Sequence, residues 1–285
     1  MASRPPRRRP PARRPQRRRR GGDLGARVLA ALPAIVFAIF IVSQGGWIFA
    51  IGVLVLGLVC LHELYGLLEA ARPVKLAGFL GLIALILTAL LGGRDAQFEL
   101  LLVQVALTPL VFGLAMAGPR RGPATISMAV TLFSLWWIGL AFAHAVMLRE
   151  LPHGGGILVD ILVGTFVGDT GAYLGGRLYG RRRLAPAISP NKTVEGLLIG
   201  MVTAVAATWF AGLYQDWLPG SSALLLGLGV ALTAPLGDLF ESLVKREAQT
   251  KDTGRLFGAH GGALDRLDAV FFSVVAGYYI WVALL

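Results

Sequence analysis

Between Asp238 and Asp268 the chain carries its densest set of side chains able to do chemistry outside the N-terminal tail, with apolar runs on either side. Asp238, Ser242 and Lys245 fall at i, i+4 and i+7, one face of a helix. Gly254, Gly258, Gly261 and Gly262 then interrupt any helix, and the pattern resumes with Asp265, Arg266 and Asp268. Acids, bases, His260 and glycines together suit a metal and a phosphorylated ligand: hard cations take oxygen ligands, and cations and backbone amides hold phosphate. Two upstream segments add to this set. Gly-Asp-Thr-Gly-Ala-Tyr places Asp169 inside an apolar run, where its glycine neighbours permit close helix packing or close approach of a ligand. Ser189-Pro190-Asn191-Lys192-Thr193-Val194-Glu195-Gly196 follows Arg181, Arg182 and Arg183, and Thr193 is a candidate helix N-cap.

These residues must be positioned by membrane helices. The 285 residues are 55% hydrophobic and only 15% charged, against about 25% charged in a soluble domain. Mean hydropathy is +0.68. The apolar runs are continuous rather than alternating, which favours helices over a barrel. The expected fold is an all-α polytopic integral membrane protein with about nine spans: 25–44, 46–68, 75–92, 97–117, 124–148, 157–178, 193–217, 221–244 and 269–285. Residues 1–20 form a basic tail that cannot fold alone, and 21–285 form the transmembrane catalytic unit. A lone cysteine, Cys60, excludes disulfides within the chain and disfavours cysteine-held zinc.

The net charge of +11 belongs mostly to the tail, where ten of the twenty-seven basic residues lie. Such a tail reads as an orientation signal touching anionic lipid headgroups, with no specific nucleic-acid partner. With the N-terminus in the cytoplasm, the inner loops hold fourteen basic residues and the outer loops only Arg94 and Arg149. Loops 178–192 and 245–268 then face the cytoplasm.

Charged groups within spans are costly and usually functional. Asp169 is read as a site residue or as a helix–helix contact. Asp238 is read as a ligand or as the buried partner of Lys245. The expectation for His62 and Glu63 is an interfacial pair ending the second span. Asp160, near the outer end of the sixth, is expected to reach the interface.

Taken together, these segments resemble the phosphatidate cytidylyltransferase family, the CDP-diacylglycerol synthases. The family signature is similar to Ser242, Lys245, Arg246, Lys251, Asp252, Gly254, His260, Gly261, Gly262, Asp265, Arg266 and Asp268 at their present spacing, and the two upstream segments match in the same order. The close resemblance covers about the last 120 residues. Ala263, Thr250 and Gly258 depart from the family's usual residues without removing a polar group. The resemblance implies CTP and phosphatidate as substrates, CDP-diacylglycerol and pyrophosphate as products, Mg²⁺ as cofactor with room for a second cation, and a bacterial plasma membrane with the site on its cytoplasmic face. Membrane lipids are the surroundings, and a homodimer is an open expectation.

The chemistry agrees with this. A phosphate oxygen is already ionised near neutral pH, so the task is to position two anions and neutralise the leaving pyrophosphate. Asp238 closes one span and Asp265 opens the next, so both are expected at one depth with Mg²⁺ between them. Asp268 is a reserve ligand and Asp169 a second-tier one. Lys245, Arg246 and Arg266 are assigned to phosphates. Ser189, Asn191, Lys192, Thr193, Ser242, Lys251, His260, Gly261 and Gly262 are assigned to substrate binding. Alternatives are another lipid-headgroup transferase or a cation-coupled transporter. The first lacks its Asp-Gly-x-x-Ala-Arg segment here, and the second needs a midplane site.

Overall fold

The computed structural model describes residues 23–93, 96–117, 123–250, 253–254 and 261–285. The basic tail lies outside them. Each expected span has its helix: α1 (Asp23–Gln44), α2 (Gly46–Leu67), α3 (Lys75–Leu91), α4 (Ala96–Ala117), α5 (Ala124–Glu150), α6 (Gly154–Tyr179), α7 (Val194–Gly212), α8 (Gly220–Glu247) and α9 (Leu264–Leu284). Seven of these are long and apolar enough to cross a membrane; α3 and the apolar part of α1, Ile35–Gln44, are shorter. Large apolar side chains such as Val105, Val202, Phe210 and Leu228 point outward, as they do when lipid is the solvent.

Three boundaries differ from expectation, each for a physical reason. Helix α9 starts at Leu264, not near 269, because its charged first turn finds partners on other elements. Helix α8 continues to Glu247, so Asp238 lies inside it rather than at its end. The 178–192 loop is partly ordered as an antiparallel hairpin, β1 (Arg183–Ala185) with β2 (Ser189–Thr193), pairing Arg183 with Thr193 and Ala185 with Ser189.

Lipid gives helices no hydrophobic reason to associate, so close packing falls to small residues. The α6–α7 pair follows this rule. A Cβ on Gly168 would stand 2.8 Å from that of Ala204, and one on Gly200 would stand 2.6 Å from that of Ala172. An aromatic cluster joins α5 to the helices bearing the signature. Trp137, in a π turn at Leu135–Gly139, meets Phe240 edge-on at 4.8 Å and Phe271 at 6.2 Å.

One end of the bundle is tied by local pairs. Arg149 Nε donates to the Val42 carbonyl at 2.7 Å, and Gly46 N donates to Glu150 Oε1 at 3.1 Å. His153 stacks on Trp217 with centroids 4.0 Å apart, and Trp281 Nε1 donates to the Pro152 carbonyl at 2.9 Å. Asp160 does not reach the interface. It is fully buried, and both its oxygens accept from Gln215 Nε2, at 2.8 and 2.9 Å. The turn after α7 thus brings the acid a partner inside the protein.

Candidate active site

The opposite end holds the residues singled out by their chemistry. Thr193 caps α7 as expected: Gly196 N donates to its Oγ1 at 3.1 Å. Two turns of hydrogen bonding fix the hairpin that leads into it. Glu195 Oε2 accepts from Arg181 N at 2.9 Å and from Arg182 N at 3.1 Å, and Arg246 Nε donates to the Ile188 carbonyl at 3.0 Å. Arg246 therefore holds the hairpin tip from the end of α8.

Beneath the hairpin a cavity of about 550 Å³ opens between α6, α7 and α8. Its polar wall contains Asp169, Ser189, Asn191, Lys192, Thr193 and Asp238, and its apolar wall includes Leu197, Ala204, Ala231 and Leu239. Lys192 forms an ion pair with Asp238. Asp238 is thus the partner of Lys192 and not of Lys245, because the hairpin lays Lys192 across the cavity while Lys245 turns toward α9. Arg177 and Tyr173 also line the cavity and were not among the expected site residues. Their signal was present: they follow Asp169 at i+8 and i+4, on one helical face.

Behind the cavity Lys245 Nζ joins two acids, Glu241 Oε2 at 2.5 Å and Asp265 Oδ1 at 2.9 Å. Asp265 is further engaged. Its Oδ2 accepts from Thr253 N at 3.0 Å and from Gly262 N at 2.8 Å. This carboxylate folds the ends of the signature loop onto α9. Gly261 beside it takes the left-handed conformation, φ +84°, where a side chain would be strained. Asp268 is buried one turn on, against Glu241. Ser242 is half-buried on α8, and Arg266 is exposed on the first turn of α9. The cavity lining leaves out Ser242, Lys245, Arg246, Asp265, Asp268, Gly261 and Gly262. Lys251 and His260, with Asp252, Arg255 and Gly258, lie outside the described residues.

Glu63 overturns the expectation of an interfacial pair. His62 is exposed, but Glu63 is buried and accepts from Ala263 N at 3.1 Å and Leu264 N at 2.9 Å. The first turn of α9 has amides with no intrahelical acceptor, and α2 supplies one.

Comparison with known proteins decides what this arrangement belongs to. Residues 25–284 match the model of the Cytidylyltransferase family. The phosphatidate cytidylyltransferase of Bacillus subtilis (strain 168) is 33% identical over 265 residues, covering 90% of this chain and 97% of that protein. The phosphatidate cytidylyltransferase of Staphylococcus epidermidis (strain ATCC 12228) is 30% identical over 255 residues, covering 86% and 94%. That of Mycobacterium leprae is 37% identical over 169 residues, covering 58% and 53%. The chain belongs to the cytidylyltransferase family. As a member of that family, it carries the match across the first five helices as well as the last four. The family's reach therefore includes α2 and Glu63, which the signature alone did not.

The cytidylyltransferase fold also bears on metal binding. Among the described residues no three His, Cys, Asp or Glu side chains are gathered into a ready-made cage. The donors facing the cavity are carboxylates, Asp169 from α6 and Asp238 from α8. Glu241 lies buried against Asp268, with Lys245 on its other oxygen. Hard oxygen donors, too few for a closed cage, fit Mg²⁺, which is usually held by one or two carboxylates plus substrate phosphates.

Proposed function

We propose that this chain is a phosphatidate cytidylyltransferase acting at the cytoplasmic face of a bacterial plasma membrane. A phosphate oxygen of phosphatidate attacks the α-phosphorus of CTP. The new P–O bond forms as the α–β anhydride bond breaks, giving CDP-diacylglycerol and pyrophosphate. The observation that carries this reading is the cavity under the hairpin, which joins a wall of Asp169, Lys192 and Asp238 to an apolar wall of Leu197, Ala204 and Leu239. It suits an amphipathic ligand with a phosphate at one end. The family match and the relatives' names supply the reaction.

The residues then divide by role. Lys192 and Arg177 reach the phosphates from the hairpin and from α6, and Ser189, Asn191 and Thr193 offer hydroxyl and amide groups beside them. Lys192 exchanges its pair with Asp238 for a substrate phosphate. Asp238, with Asp268 behind it and Asp169 opposite, would hold Mg²⁺. When bound, Mg²⁺ neutralises charge developing on the pyrophosphate. Asp265 uses its lone pairs on Lys245 and two amides, so it orders the loop, and Asp268 is the better partner for Asp238. Lys245 pairs Glu241 with Asp265, and Arg246 holds the hairpin over the cavity. No general base is needed.

The direct test is purified protein incubated with labelled CTP, phosphatidate and Mg²⁺. Labelled CDP-diacylglycerol and equimolar pyrophosphate are expected. Absence of both from folded protein, with Mg²⁺ present, would overturn the proposal.

A further inference from the structure

We infer that Glu63, 200 residues before the signature helix in sequence, is a positioning residue for the transfer reaction, and that Gly254 and Gly262 are glycines partly to admit its carboxylate. Two geometric facts carry this. First, α9 has no cap of its own: the residue before it is Ala263, whose side chain accepts nothing. Its opening amides divide between two carboxylates. Asp265 takes Gly262 N, and Glu63 takes Ala263 N and Leu264 N. Helix N-termini bind anions well because these amides and the helix dipole point outward together. Glu63 is therefore an anion built into the fold at the N-terminus of the helix that bears Asp265, Arg266 and Asp268.

Second, two described glycines of the signature loop lie against this carboxylate. A Cβ added to Gly254 or to Gly262 would collide with Glu63 Oε1 or Oε2. Glycine at these positions was expected to break the helix and to bring backbone close to phosphate. Here both face a side chain from α2. Glu63 thus holds the start of α9 by two hydrogen bonds and lies against Gly254 and Gly262. Those points set how Asp268 stands relative to Asp238 across the α8–α9 contact. Glu63 lies outside the cavity under the hairpin, facing a second cavity with His62, Thr253 and Gly254, and its route to the reacting groups is through α9.

The inference rests on the transferase reading above, and the experiment separates the two. Glu63→Gln, Glu63→Asp, Gly262→Ala and the double variant Glu63→Asp/Gly262→Ala are purified beside the parent. For each, kcat, both KM values, Mg²⁺ dependence and thermal midpoint are measured. Glu63→Gln keeps the size but sets an amide N–H₂ against backbone N–H, and kcat is expected to fall on the order of 10- to 100-fold, as for second-layer partners of metal ligands. The Mg²⁺ requirement should rise while KM for phosphatidate changes less than about twofold, since a merely structural loss would not split the constants this way. Gly262→Ala should be impaired similarly. Shortening Glu63 vacates the space, so the same alanine should cost clearly less in the Glu63→Asp background. If folded Glu63→Gln turns over at the parent rate, or activity falls only in step with the folded fraction, or the alanine costs the same in both backgrounds, the positioning role is wrong. A folded parent that forms no product would instead sink the transferase reading.

Discussion

The two ends of the bundle both bury carboxylates, yet they treat them differently. At the end near Arg149, buried Asp160 and exposed Glu150 each have a single partner among the described residues. Asp160 has Gln215, and Glu150 has the Gly46 amide. At the signature end acids crowd together. Asp169, Asp238, Glu241, Asp265 and Asp268 lie near one another, and among the described residues the lysines pairing with them are Lys192 and Lys245. Pairing an acid locally stabilises a fold. Gathering acids in a partly dry site costs stability unless cations match them. The contrast sets a locally paired end against the end proposed to bind substrate and metal.

The largest expected effect breaks this contrast at its binding end. Asp238→Asn keeps the shape and removes the charge facing the cavity. Turnover should fall about a thousandfold, roughly 4 kcal/mol of barrier, with the thermal midpoint nearly unchanged. Near-normal turnover and Mg²⁺ dependence would remove Asp238 from the site.

A second comparison sharpens the division within that end. Asp268→Asn should cost about a hundredfold in turnover and raise the Mg²⁺ requirement, as expected of a ligand or its close neighbour. Asp265→Asn should lose both turnover and stability. It breaks a mostly buried pair with Lys245, and such breaks cost about 3–5 kcal/mol. Equal thermal midpoints for the two variants would contradict the roles assigned from their hydrogen bonds.

The smaller effects lie elsewhere. Asp160→Asn keeps one acceptor for Gln215, so it should shift the thermal midpoint slightly and leave turnover per folded molecule within about twofold. Removing residues 1–20 takes away ten positive charges, each contributing about 1 kcal/mol at most near an anionic surface. Expression or lipid contact should weaken, with turnover almost unchanged. A large loss of turnover in either variant would mean that the division into two ends is too simple.

Hydrophobic continuity made the helices legible in the sequence, since a bilayer demands runs of fixed length whatever they pack against. The start of α9 was not legible this way, because Asp265, Arg266 and Asp268 resume the pattern with charge, which hydrophobic continuity does not register. Thr193 was legible because capping is local. Glu63 was hidden for the opposite reason: its partners are amides at the far end of the chain, and a lone acid closing an apolar run looks like a residue at the interface. Lys192 was placed in the site by its segment, but its pairing with Asp238 needed the hairpin, whose short strands carry no clear alternation.

Equilibrium binding of labelled CTP to purified protein, with and without Mg²⁺, tests most directly the claim that the acid-rich end awaits a metal and a nucleotide. CTP should bind the parent tightly only with Mg²⁺, and Asp238→Asn should lose at least about tenfold in affinity, roughly 1.4 kcal/mol. Asp160→Asn, at the other end, should bind as the parent does. Binding that ignores Mg²⁺ and is the same in Asp238→Asn as in the parent would contradict the account.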